Sequence, residues 1–301
     1  MTTSEIPDQR RTSLRLQRRQ QIRRRRAVAL TGLAGLIALV IVIVLEASSS
    51  GHSKPPAPPV HKAAVVHHPS FAAQTDAAIR HTLSYTPYIT LGRSHKREIA
   101  LTFDDGPGPY TPQILAVLKR MHVHGTFFEV GREVKTFGAN TKALAQAGDA
   151  IEDHTEDHFN LSQLSPAQQR AQVADASNAI VAAGAPAPRL FRPPYGAFNH
   201  QTLATLKRRG LLMVMWSVDT SDYARPGVPR IVSSALNGAR PGGIILMHDG
   251  GGDRSETVQA LPQIIRGLRQ RGYSMVTVPH LVRDDPPRRN QPPATPLIGA
   301  T

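Results

Sequence analysis

The sequence contains no cysteine. That absence excludes disulfides, thiolate zinc sites, iron–sulfur clusters and cysteine nucleophiles together. Any metal must therefore be held by nitrogen and oxygen. Tryptophan is nearly absent as well, Trp216 being the only one. No internal repeat is visible. Acidic residues are scarce beside basic ones, 22 Asp+Glu against 36 Lys+Arg, for a formal net charge of +14. Such an excess invites a nucleic-acid partner, and its distribution decides whether one is needed. What is present is otherwise ordinary. With 40% hydrophobic and 19% charged residues the chain is not wholly disordered. Its 301 residues allow one large domain or two small ones.

Residues 1–75 carry 11 Lys/Arg against 3 acids, residues 76–280 carry 22 against 17, and residues 281–301 carry 3 against 2. Over half of the excess sits in the N-terminal quarter. There Arg23 to Arg26 run directly into Ala27 to Leu45, a stretch without charge whose one notable polar residue is Thr31. As a helix it spans roughly 28 Å, close to the hydrocarbon thickness of a bilayer. The basic flank predicts a cytoplasmic N-terminus with the rest of the chain outside. The rival reading is a cleaved signal peptide with a site after Ser49, which would release a secreted protein. In either case the arginines act as a topology determinant, and no nucleic-acid partner is expected.

Composition divides the chain into a basic cytoplasmic tail (1–26), a transmembrane signal anchor (27–45), a Pro/His/Ser-containing linker and lead-in (46–94), a folded region (95–280) and a disordered Pro-rich tail (281–301). Within the folded region, short apolar runs alternate with helical patterns. Strands are predicted at Ile99–Phe103, Thr126–Val130, Ala150–Glu152, Leu190–Phe191, Leu212–Ser217, Ile244–Met247 and Ser274–Val278. Helices open after Thr111-Pro112 and Ser165-Pro166. Seven strand–helix units imply a parallel sheet covered by helices. Unusual polar residues fall just after the strands: Asp104 and Asp105, His154, Arg192, Asp219 and Asp222, and His248. A set drawn from five or more strand ends fits one rim of a β/α barrel better than the single crevice of an open sheet. The region is shorter than a full eight-fold barrel, so an irregular barrel with fewer units is expected.

Several of these residues suit hydrolytic chemistry. His154 and His158 are four apart and would share a helical face to hold one metal, although such pairs are also common on solvated surfaces. Adjacent carboxylates such as Asp104-Asp105 point to different sides, so one can ligate while the other stays free. Two imidazoles and a carboxylate with open positions make a metal site that activates water. Arg192 is placed to pair with a carboxylate and keep it ionised. His248 needs an acidic neighbour to serve as a general acid, and both Asp219 and Asp222 are candidates.

Taken together, Thr102-Phe103-Asp104-Asp105-Gly106-Pro107, His154-Thr155-x-x-His158, Arg192-Pro193-Pro194-Tyr195, Asp219-x-x-Asp222-Tyr223 and Leu246-Met247-His248 resemble the five ordered motifs of the polysaccharide deacetylases. This is the NodB-homology group, carbohydrate esterase family 4. The resemblance covers about residues 95–280. It implies a distorted (β/α)7-type barrel, here preceded by a single transmembrane helix and a Pro-rich linker. It also implies one divalent metal, usually zinc, and hydrolytic removal of acetyl from N-acetylated sugars or, less often, from O-acetylated xylan. By residue, it implies Asp104 as base and Asp105, His154 and His158 as metal ligands. Arg192 would hold the base. The Tyr195 backbone N–H would serve the oxyanion, Asp222 would orient the acid His248, and Leu246 would line the acetyl pocket. One position departs from the pattern: Tyr223 stands where tryptophan is usual, keeping an aromatic wall but adding a hydroxyl. The expected function is deacetylation of cell-wall glycan, peptidoglycan N-acetylglucosamine or N-acetylmuramic acid, by a membrane-anchored, outward-facing enzyme. Chitooligosaccharide or O-acetyl substrates, or a catalytically silent wall-binding homologue, are the alternatives.

Overall fold

The computed structural model describes residues 70–93 and 95–291. The basic tail and the expected membrane span lie outside the described residues. Among the described residues, no helix is long and apolar enough to cross a membrane.

The described chain builds nine strands and eight α-helices. They run α1 (Phe71–Leu83), β1 (Tyr88–Ile89), β2 (Glu98–Asp104), α2 (Thr111–Arg120), β3 (Thr126–Glu129), α3 (Gly131–Ala147) and β4 (Ala150–Asp153). There follow α4 (Pro166–Ala182), β5 (Leu190–Phe191), α5 (His200–Arg209), β6 (Leu212–Val214), β7 (Val218–Asp219) and α6 (Val228–Gly238). The order closes with β8 (Gly243–His248), α7 (Ser255–Gln270), β9 (Ser274–Val276) and α8 (Val278–Asp284). All pairings are parallel, in the order β1-β6-β5-β4-β3-β2-β8-β7, with β9 paired to the start of β2. The sheet curls as a β/α barrel does, but β1 and β7 remain edges, so the ring is not closed.

Period-2 alternation along the strands separates an outward-facing apolar side from a concave one. In β2, Ile99, Leu101 and Phe103 face outward and pack with Ile114, Leu118, Leu261 and Ile265 of α2 and α7. Ala100 faces the concave side with Phe128, Leu190, Val214 and Ile244. The same alternation puts Thr102 and Asp104 on that concave side, where a carboxylate needs a partner.

The ordered domain begins earlier than composition suggested. Ile79 of α1 and Ile89 of β1 are fully buried in the concave core, together with Leu281 and Val282 of α8. Residues read as lead-in and as tail therefore pack together into the concave core. Gln291 fastens them, its Oε1 accepting from the Thr90 and Leu91 backbone N–H groups. The strand expected at 212–217 ends at Val214 as β6, and β7 begins beyond it at Val218, paired with β8 at the far edge of the sheet. The carbonyls of Val214 and Met215 accept from Arg192 Nε and Nη2, both at 3.1 Å, instead of continuing a ladder. The cap read at Ser165 forms as a full capping box with Gln168.

Candidate active site

Asp104 and His248 end their strands, and the parallel register of β2 and β8 sets them side by side. Everything else on this rim is arranged around them.

Arg192 follows β5 and is fully buried. Its Nη1 donates to Asp104 Oδ1 at 2.7 Å and to Thr102 Oγ1 at 2.8 Å. Its carbon face lies 4.2 Å from the Phe128 ring centroid. Burial lowers the Arg192 pKa, and the Asp104 charge opposes that. A guanidinium with all its edges occupied has one orientation, and so does the carboxylate it holds.

The expected helical face for His154 and His158 is not what forms. His154 follows directly on β4, and the chain then turns through left-handed conformations at Thr155 (φ 71°) and His158 (φ 59°). The turn is held by Asp153 Oδ1, which accepts from Thr155 N at 2.9 Å, and by Thr155 Oγ1, which accepts from His158 N at 3.0 Å. The two rings still converge, with centroids 5.0 Å apart. His154 Nδ1 lies 2.7 Å from the Arg192 carbonyl. A carbonyl only accepts, so Nδ1 carries a proton, which leaves Nε2 as the ligating nitrogen of the neutral ring. That Nε2 lies 3.5 Å from Asp105 Oδ1, and His158 Nε2 lies 3.0 Å from the same oxygen. Asp105 Oδ1 is nevertheless buried without a hydrogen bond. Burial alone would push the Asp105 carboxyl up, but the two imidazoles outweigh it and hold the group well below the usual carboxylate range. An ionised oxygen with no hydrogen bond, two convergent imidazoles and donor atoms all within 4.8 Å of one another fit a bound cation.

Asp222 rather than Asp219 is the partner of His248. Asp222 Oδ1 lies 2.7 Å from His248 Nδ1, and Asp222 Oδ2 accepts from the His248 backbone N–H at 2.8 Å and from Thr257 Oγ1 at 2.7 Å. Asp219 turns instead to the Ser221 backbone N–H. Burial works to lower the His248 pKa, but the Asp222 carboxylate outweighs it and raises the pKa to about 9. The ring therefore stays protonated at neutral pH, with Nε2 free of Asp222.

Tyr195 has φ 58°, in a short turn (Pro194–Gly196), and its ring packs edge-on against His158 at 4.7 Å. Its backbone N–H makes no hydrogen bond among the described residues. Tyr223 lies edge-on to the His248 ring at 5.4 Å. Tyr195 and Tyr223 are both about half exposed, while Leu246 is buried between the neighbouring strands.

One buried residue here escaped the sequence reading. Asp249 follows His248 and packs its carboxyl on the α-carbon of Gly106. Its Oδ2 accepts from Thr111 Oγ1 at 2.5 Å, and Thr111 Oγ1 accepts in turn from Gly108 N at 2.7 Å. The Asp249 backbone N–H donates to the Asp104 carbonyl at 3.0 Å. These bonds fix the Asp104–Gly108 segment. The Asp104–His248 register, which only the structure shows, sets the following residues opposite each other too. Gly106→Ala should therefore destabilise the protein, since the added methyl collides with both Asp249 oxygens. We expect a loss of about 1–3 kcal/mol, read as a fall of several degrees in Tm in a thermal melt. An unchanged Tm would show that the Asp249 carboxyl is free to move.

A carboxylate and a protonated imidazole on neighbouring strands, with a cation cradle beside them, suit metal-assisted hydrolysis. Several known proteins resemble the chain. The family model for polysaccharide deacetylase matches residues 92–214. A chitooligosaccharide deacetylase of Bradyrhizobium is 42% identical over 201 residues, 62% of this chain and 92% of the relative. A peptidoglycan-N-acetylglucosamine deacetylase of Bacillus cereus is 38% identical over 209 residues, 68% of this chain and 98% of the relative. A crystal structure of the Bc1960 peptidoglycan N-acetylglucosamine deacetylase superposes with a TM-score of 0.65 at 33% identity, covering 68% of this chain and 97% of that one. The chain belongs to the polysaccharide deacetylase family, carbohydrate esterase family 4, and is a carbohydrate deacetylase, a hydrolase of non-peptide carbon–nitrogen bonds.

Proposed function

We propose that the protein removes acetyl from N-acetylated sugars of cell-wall glycan, peptidoglycan N-acetylglucosamine or N-acetylmuramic acid. The observation that carries this is the pairing across β2 and β8 of an arginine-held carboxylate with a carboxylate-held, protonated imidazole, beside the Asp105–His154–His158 cradle. Asp105 and the Nε2 atoms of His154 and His158 would hold one divalent cation. One carboxylate and two imidazoles suit zinc. When bound, the ion supplies Lewis acidity, making a nucleophile available at neutral pH and offsetting negative charge on the acetyl oxygen.

The remaining steps belong to the chain. Asp104 accepts the proton of the attacking water, and Arg192 holds that carboxylate aimed until it does. The Tyr195 N–H donates to the oxygen on which charge develops, in a site where a preset donor needs no reorganisation. Leu246 bounds the space for the acetyl methyl, and Tyr223 walls the sugar side next to His248. His248 Nε2 gives its proton to the departing amine, with Asp222 balancing its charge.

The apolar run 27–45 anchors this domain outside the membrane in the same proposal, or directs its secretion if the run is cleaved. The Pro-rich segment that follows gives it reach toward the wall. A chitooligosaccharide substrate is the second reading, favoured by the 42% identity to a protein of that name. The test is acetate release from peptidoglycan, chitooligosaccharides and O-acetylated xylan, with chelator and with metal restored. Metal-dependent release from N-acetylated polymers is expected. Release confined to xylan esters, or unaffected by thorough chelation, overturns the proposal.

A further inference from the structure

The parallel sheet sends every helix-to-strand connection to the end of the barrel opposite the active-site rim, and that end is one-sided in charge. The connection from α2 into β3 carries Lys119, Arg120, His122 and His124. The turn from α5 into β6 carries Lys207, Arg208 and Arg209, and Arg240 precedes β8. Lys96 and Arg97 precede β2, and Arg269 and Arg271 close α7 before β9. All of these are exposed. The acids at this end are Asp76, Glu98, Asp149, Asp284 and Asp285, all at least partly buried, Asp76 least so with 40% of its side chain accessible. Each has a basic neighbour: Arg189 for Asp76, Lys96 for Glu98 and Asp284, His124 for Asp149 and His95 for Asp285. By contrast, Lys119, Arg120, Lys207, Arg208, Arg209 and Arg240 form no ion pair among the described residues.

Favourable interaction with helix C-termini explains cations in the last turns of α2, α5 and α7. It does not explain Lys96, Arg97 or Arg240, which lie outside helices, or the lack of exposed acids. The face is also braced. Arg97 Nη2 donates to the Arg271 carbonyl at 2.6 Å, Arg269 to the Met121 carbonyl and Arg271 to the Leu236 carbonyl, so the connections are tied to one another. A hollow of about 230 Å³ opens between Lys119, His122 and His124. Its Asp149 carboxyl is turned to the Gly125 backbone N–H.

We propose that this rear face docks on a bilayer surface containing anionic phospholipid. The cations are spread over five connections, four leading into β2 and its partners β3, β8 and β9 and the fifth into β6, three strands beyond β3. They form a broad array that matches a plane of phosphates better than a single thread of them. Adsorption through this end leaves the rim with Asp104 and His248 open to glycan. The reading of residues 27–45 as a membrane span keeps the domain within reach of such a surface, and the proposal rests on that reading for proximity only. Attraction of this kind fades with salt.

The cysteine-free sequence makes the test direct. Asn237→Cys at the rear and Gln113→Cys at the front of the full chain are each labelled with a fluorophore. Energy transfer is measured to acceptor lipid in vesicles of phosphatidylcholine with or without phosphatidylglycerol. We expect several-fold stronger transfer from the rear label than from the front label on phosphatidylglycerol vesicles. That difference should be lost on phosphatidylcholine, at high salt, and in the R208E/R209E/R240E variant. Acetate release from a soluble oligosaccharide by that variant is expected to be unchanged, which shows that it is folded. Equal transfer from both labels, or a rear preference that survives charge reversal, overturns the proposal. So does a rear label that ignores vesicles and responds to soluble polyphosphate, which assigns the face to a polymer instead. An anchor alone attaches both labels whatever the lipid charge, so its presence or absence does not alter the ratio that is read.

Discussion

Asp104→Asn is expected to lower kcat/KM for acetate release by about 10²–10⁴-fold while leaving metal content unchanged, whereas Asp105→Asn is expected to lose metal and rate together. The two carboxylates are adjacent in sequence, yet their surroundings assign them different work. Asp104 Oδ1 is taken by Arg192 at 2.7 Å, and its other oxygen stands 3.8 Å from His154 Nε2, farther than either imidazole lies from Asp105. Asparagine keeps the shape and an acceptor for Arg192 but cannot take a proton from water. The predicted loss corresponds to about 2.7–5.4 kcal/mol of transition-state stabilisation. Removing the charge also leaves the buried Arg192 guanidinium without its counter-ion, which costs about 3–5 kcal/mol in comparable cases. Rates should therefore be compared well below the Tm of the variant, with metal counted by elemental analysis in the same samples. A fully loaded Asp104→Asn enzyme within threefold of the parent would remove Asp104 from the role of base. An Asp105→Asn enzyme that retains one metal per chain would do the same for the cradle.

The sequence made some of this site readable and hid the rest for identifiable reasons. Asp104, Arg192 and His248 could be found because each ends an apolar run, and a parallel sheet delivers all such ends to one rim. From the residues alone the partner of His248 could not be chosen between Asp219 and Asp222, and only the family resemblance pointed to Asp222. The choice is made by the left-handed turn at Ser221 (φ 53°), which directs Asp219 to a backbone N–H and leaves Asp222 for the histidine. The histidine pair was readable as a pair but not as a loop, because the left-handed residues are Thr155 and His158 rather than glycines. Thr257 and Asp249 were invisible, since their bonds reach 35 and 138 residues along the chain and no local pattern signals them. The barrel was recognisable from seven apolar runs. Strands of two residues such as β1 carry no usable periodicity, and α1 and α8 sit in polar surroundings where only a few positions, Ile79 and Leu281 among them, are buried.

Asp222→Asn should move the alkaline limb of kcat/KM downward, and by more than any change to the cradle's surroundings would. His248 acts as an acid only while protonated, and its folded pKa is raised to about 9. Activity that depends on it is therefore present below that value and lost as pH rises through it. Of the groups around the ring, burial opposes the charge. Asp222 favours it most strongly, Asp105 and Asp104 add smaller attractions from farther off, and Tyr223 contributes an uncharged edge. With asparagine at 222 the main attraction is gone and burial remains, so the pKa falls to or below the ordinary imidazole value of about 6.5. At pH 8 the protonated fraction then drops roughly 30-fold or more, and the rate drops with it, while the deficit shrinks toward pH 6. A cation in the cradle repels the imidazolium in both proteins and lowers both limbs without closing the gap between them. Thr257→Val provides the contrast. It removes one hydrogen bond to Asp222 Oδ2 and keeps the carboxylate charge, so its limb should stay close to that of the parent. If Asp222→Asn lowers the plateau but leaves the limb where it was, Asp222 merely orients the ring, and the proton given to the leaving amine comes from another group.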